Sequence, residues 1–85
     1  MTRATEVYAG EFDLIFFKLP PRVREAIERK IQQLGSRLGD YPHQRLTGRP
    51  EYRLRVGDYR VIYEFSREQN LLYLIALGNR REIYR

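Results

Sequence analysis

Eighty-five residues with no cysteine, 42% hydrophobic and 32% charged, suffice for one small domain over residues 1–85 and exclude disulfides and thiolate chemistry. No apolar run approaches membrane-spanning length and Met1-Thr2-Arg3-Ala4 opens no signal-peptide apolar region, so a soluble cytoplasmic chain with no membrane partner is expected. Sixteen basic side chains against 11 acidic ones give a formal net charge of +5, which leans toward polyanionic partners.

In chain order, Ala4 to Tyr8 ends in Val7-Tyr8, residues suited to an edge strand. Gly10 with Glu11 and Asp13 after it marks a helix start, the acids lying near the positive end of the helix dipole. Phe12, Ile15, Phe16 and Leu19 then follow i, i+3, i+4, i+7 spacing and form one apolar stripe, read as core. Pro20-Pro21 stops that helix and opens another, because proline is tolerated in a first turn and not in a helix interior. Val23, Ile27, Ile31, Leu34 and Leu38 form the buried stripe of the second helix, and Arg22 to Lys30 supply its solvated charged side. Gly35 and Gly39 are expected to fray its end.

Asp40 to Pro50, DYPHQRLTGRP, reads as a loop. It carries the only histidine, His43, which is expected to be exposed. No second histidine, cysteine or suitably spaced carboxylate accompanies it, so neither a metal nor a cofactor is expected. A phosphate-binding glycine loop, a nucleophile elbow and a carboxylate pair are likewise missing from the sequence.

The final third is strand-rich. Tyr52-Arg53-Leu54-Arg55-Val56 alternates, Gly57-Asp58 turns the chain, Tyr59 to Phe65 is β-branched and aromatic, and after a polar break Leu71 to Leu77 forms a third strand. Period two puts Tyr52, Leu54, Val56, Tyr59, Val61, Tyr63 and Phe65 on the core face and Arg53, Arg55 and Arg60 together on the outer face. The charge follows the same division: seven basic and six acidic residues up to Pro42, nine and five from His43 onward. A basic face interleaved with tyrosines suits single-stranded nucleic acid, guanidinium pairing with phosphate and tyrosine stacking on bases; a solvated arginine-rich surface is the plainer alternative. The expected fold is α+β, a helical hairpin packed on one face of a small antiparallel sheet with the N-terminal strand at an edge. Its core is expected to include Phe12, Phe16, Leu19, Val23, Ile27, Ile31, Leu34, Leu54, Val61, Tyr63 and Ile75.

The order of elements, Arg45-Leu46-Thr47-Gly48, the run YRLRVGDYRVIYE from Tyr52 and the closing GNRREIYR resemble the RelE family of bacterial toxins, over essentially the whole chain. The resemblance implies a RelE-like microbial RNase fold and the toxin of a type II toxin–antitoxin pair, a metal-independent endoribonuclease that cuts mRNA in the ribosomal A site. Its implied partners are an acidic RelB-like antitoxin, the ribosome and mRNA, with operator DNA reached only through the antitoxin complex. The implied catalytic residues are Arg60, Arg80 and Tyr84. Arg53, Arg55, Arg45 and Arg81 are expected to bind RNA, Arg53 and Arg55 standing where well-studied relatives carry lysines.

The chemistry is self-consistent. RNA supplies its own nucleophile, the 2′-hydroxyl, so a protein need only align it with the phosphate and neutralise the phosphorane. Arginine stays protonated and suits the charge role, while Tyr84, beside Arg80 and Arg81, is the candidate base because nearby positive charge lowers a phenol pKa. Arg80 is the acid that the family implies and a charge stabiliser on physical grounds alone. Weak acid–base groups imply that an ordered partner does the aligning. Two other readings remain: a ParE-like inhibitor of DNA gyrase on the same fold, and a passive basic module that binds RNA or protein.

Overall fold

The computed structural model describes residues 3–79. Its elements run β1 (Thr5–Tyr8), α1 (Gly10–Phe16), α2 (Pro21–Ser36), β2 (Gln44–Arg45), β3 (Tyr52–Val56), β4 (Tyr59–Ser66) and β5 (Leu71–Asn79). α1 carries Glu11 and Asp13 in its first turn and buries Phe12 and Phe16. α2 has proline at its first positions and buries Ile27, Ile31, Leu34 and Gly35. The helix therefore runs through Gly35 before ending at Ser36, and the Gly35 carbonyl accepts the Ala4 N–H at 3.0 Å, tying α2 to the start of β1.

The five strands lie in the order β1-β5-β4-β3-β2. β3, β4 and β5 form the expected meander, with Val56 opposite Tyr59 across a two-residue turn in which Gly57 takes φ +59°. That positive φ is the one a hairpin turn asks of its first central residue, and glycine adopts it without strain. β1 is an edge strand as expected, but it pairs with β5 in parallel, so the sheet is mixed rather than wholly antiparallel. The helical hairpin is the long connection that a chain needs before a strand can lie parallel to a later one.

One strand departs from simple alternation. Ile62 pairs with Ala76 and Tyr63 with Leu74, so Ile75 is an extra residue in the β5 ladder. This bulge resets the phase: Leu72, Leu74 and Leu77 are buried and join the core, whereas Ile75, expected there, is only half-buried. Leu19 and Val23 are also half-buried, packed against the margin of the core. Phe12, Phe16, Ile27, Ile31 and Leu34 meet Leu54, Val61 and Tyr63 as expected, which puts both helices on one face of the sheet; among the described residues no helix lies on the other, the open face, although Ile62 on it is buried.

Candidate nucleic-acid interface

The open face is built by register. Arg55 stands directly opposite Arg60, and Arg60 opposite Gly78 in β5. One step along, Gln44, Arg53, Ile62 and Ala76 form the next row across four strands. Arg53 and Arg55 are exposed and Arg60 is half-buried. Neither Arg53 nor Arg55 is in an ion pair among the described residues. Like charges directly across a ladder cost up to about 1 kcal/mol, so this pair does not serve the sheet. Opposite Arg60, glycine leaves no side chain on that side.

β2 fixes one of the arginines. Gln44 Oε1 accepts a hydrogen bond from Arg53 Nε at 3.2 Å. Read as loop in the sequence, this two-residue strand forms because Gln44 and Arg45 lie in register with Arg53 and Tyr52. The same register sends Arg45 to the other face. Its guanidinium donates to the Tyr52 hydroxyl at 2.8 Å and lies 5.2 Å from the centre of that ring. The structure thus gathers Arg53, Arg55 and Arg60 and separates Arg45 from them.

Arg80, Arg81 and Tyr84 lie outside the described residues. Among the described residues no group of three His, Cys, Asp or Glu side chains is placed to hold a metal ion.

His43 is not the exposed loop residue expected. It is half-buried, stacked on Phe65 with ring centres 4.1 Å apart, and surrounded by Tyr41, Tyr52 and Tyr63. Its Nε2 lies 2.9 Å from the Leu38 carbonyl, which can only accept, so Nε2 carries the proton. Nδ1, 2.6 Å from the Tyr63 hydroxyl, then accepts from it. Tyr63 is fully buried, and burial, followed by the neighbouring Tyr41 and Tyr52, pushes its phenol pKa well up. The histidine gives that hydroxyl its partner and anchors the chain just before Gln44, so the aromatic cluster acts on the open face through β2. The signal lay in the sequence: Tyr52, Tyr63 and Phe65 share a face by period two, and a buried tyrosine needs an acceptor.

The sequence family described as ParE toxin of type II toxin–antitoxin system, parDE, matches residues 3–84. The chain belongs to this toxin family. The toxin is also similar in structure to the RelBE2 toxin–antitoxin complex from Mycobacterium tuberculosis, at TM-score 0.77 and 20% identity, covering 96% of this chain and 97% of that one. The isolated RelE toxin of E. coli matches at TM-score 0.76 and 22% identity, with 95% and 90% covered. The archaeal RelE–RelB complex from Pyrococcus horikoshii OT3 matches at 0.75 and 22%, with 96% and 99% covered. These likenesses establish the RelE-like fold, and with the family match they place the toxin in the RelE/ParE superfamily. No curated protein matched the toxin by sequence.

Proposed function

We propose that the toxin is a ribosome-dependent endoribonuclease that cuts mRNA in the A site and is held inactive by an antitoxin. The observation that carries this reading is the Arg55–Arg60 pair on the open face with Arg53 beside it, three arginines that the register gathers on one face although like charges across a ladder oppose it. Such a row suits the non-bridging oxygens of a phosphate under attack. The 2′-oxygen forms a bond to phosphorus as the 5′-oxygen leaves. Tyr84, acting as its phenolate, takes the 2′-hydroxyl proton and becomes the phenol, Arg60 and Arg80 neutralise the phosphorane, and the proton reaching the 5′-oxygen comes from Arg80 or from water. A 2′,3′-cyclic phosphate and a 5′-hydroxyl result, and no step calls on a metal. The antitoxin partner is supported by the type II family and by relatives described as toxin–antitoxin complexes.

A second reading is favoured by the matching family itself, described as a ParE toxin: inhibition of DNA gyrase on this fold, without RNA hydrolysis. Primer extension on an mRNA with and without ribosomes, run beside a gyrase supercoiling assay, separates the two. Cuts that appear only with ribosomes, with supercoiling intact, are expected. Blocked supercoiling with uncut mRNA establishes the gyrase reading instead.

A further inference from the structure

We infer that the cleft between β1, α1 and α2, on the helix side of the sheet, takes an arginine or lysine side chain of a partner polypeptide, flanked by apolar residues. The cleft encloses about 390 Å³ and is walled by Phe16, Phe17 and Ile31, with Glu6, Asp13 and Glu28 converging on it from three elements. No lysine or arginine lines it, in a toxin whose net charge is +5.

Two features call for an occupant. Of the four exposed large hydrophobics among the described residues, Tyr8 and Phe17 line this cleft, Phe17 being 67% exposed. An aromatic side chain left that open beside a concave apolar wall suits a surface that another protein covers. Tyr8, Phe16 and Phe17 line the cleft, and the fully buried Phe12 links Tyr8 to Phe16 behind them, successive ring centres in the run Tyr8, Phe12, Phe16 and Phe17 lying 5.2, 5.5 and 5.3 Å apart.

The carboxylates choose the occupant. Asp13 and Glu28 are in no ion pair among the described residues. Glu6 accepts the Tyr8 hydroxyl on Oε1 at 2.6 Å, while its Oε2 has Arg3 at 3.8 Å and no hydrogen bond. The field they make is felt at Tyr8, whose phenol is pushed up by burial first, then by Glu6 and Glu28. A cation between carboxylates and ring faces gains ion pairing and cation–π contact together, while apolar neighbours cover Phe17 and Tyr8. A polynucleotide is refused by the same charges. The inference goes beyond the toxin's target and holds whether RNA or gyrase is attacked.

The test is an NMR titration of the isotopically labelled full-length toxin with the peptide acetyl-Ala-Leu-Arg-Leu-Ala-amide and its Gln and Glu counterparts. Shifts gathered at Tyr8, Asp13, Phe17 and Glu28 are expected. Affinity should fall at least about fivefold for the Gln peptide, and similarly when Glu28→Gln is combined with Asp13→Asn; the unchanged remainder of the spectrum shows that the variant is folded. Equal binding of the three peptides, indifference to the variant, or shifts centred on the arginine face overturns the inference. So does spermidine binding in the cleft more tightly than the peptide. Sedimentation of the free toxin supplies the last arm: self-association abolished by the variant makes a second copy the occupant and overturns the proposal as well.

Discussion

Arg55 opposite Arg60 was legible from alternation alone, because period two and a two-residue turn leave those side chains no other arrangement. If the pair serves the phosphorane, Arg60→Ala should lower ribosome-dependent cleavage about 10²-fold or more while ribosome binding changes little. Single-turnover cleavage and a pelleting assay read the two quantities separately, and normal cleavage with weakened binding would make this face a docking surface. Tyr84→Phe should fail where a stacking role would survive, since only the hydroxyl is removed. His43 was legible only in part: period two buries Tyr63 and so calls for an acceptor, but nothing local says that the acceptor is a ring nitrogen 20 residues away. A further expectation follows from Tyr63. The unfolded chain releases a tyrosine proton near pH 10 and the buried Tyr63 holds its proton more tightly, so the folded state binds more protons above that pH. Stability must then fall as pH rises past about 10. Urea unfolding between about pH 8 and 11 checks the sign. Tyr63→Phe should flatten the decline while costing about 1–3 kcal/mol at neutral pH, because His43 loses its donor.

Both helices and the β3–β4–β5 meander could be placed from proline, glycine and apolar spacing, all of which act locally. The parallel pairing of β1, the existence of β2 and the bulge in β5 could not, because each is decided by a neighbouring strand. The bulge has a measurable consequence. Leu74 is fully buried whereas Ile75, the extra residue beside it, is half-buried. Leu74→Ala should cost about 2–5 kcal/mol and Ile75→Ala less than half as much, by urea denaturation; equal costs would mean that Ile75 reaches the core after all. Gly35 was expected to fray α2, yet the helix passes through it, and a methyl group there would meet Arg3 Cγ at 3.4 Å and Ala4 Cβ at 3.8 Å, ordinary contacts. Gly35→Ala should therefore stabilise the fold by about 0.5–1 kcal/mol through helix propensity.

The sheet divides the molecule into two electrostatic sides, arginines on the open face and a carboxylate-lined cleft beside the helices. Composition showed the excess of positive charge and its concentration in the second half of the chain; it could not show that Arg45, two residues before Thr47 in the same basic half, belongs to the helix side. The distinction can be measured as a salt dependence. Each phosphate neutralised on single-stranded RNA contributes about 0.7 to the slope of log K against log salt. If RNA lies along the open face, Arg53→Ala and Arg55→Ala should each lower the magnitude of that slope by about 0.7. Arg45→Ala should leave it unchanged, because its guanidinium is held over the Tyr52 ring on the far side of the sheet. Fluorescence anisotropy of a labelled single-stranded RNA across a potassium chloride series reads all three slopes. An Arg45→Ala slope reduced as much as the others would mean that the strand wraps the β2 edge, bringing Tyr52 and Arg45 into the interface. Three unchanged slopes would remove RNA from this face altogether and leave the gyrase reading as the stronger of the two.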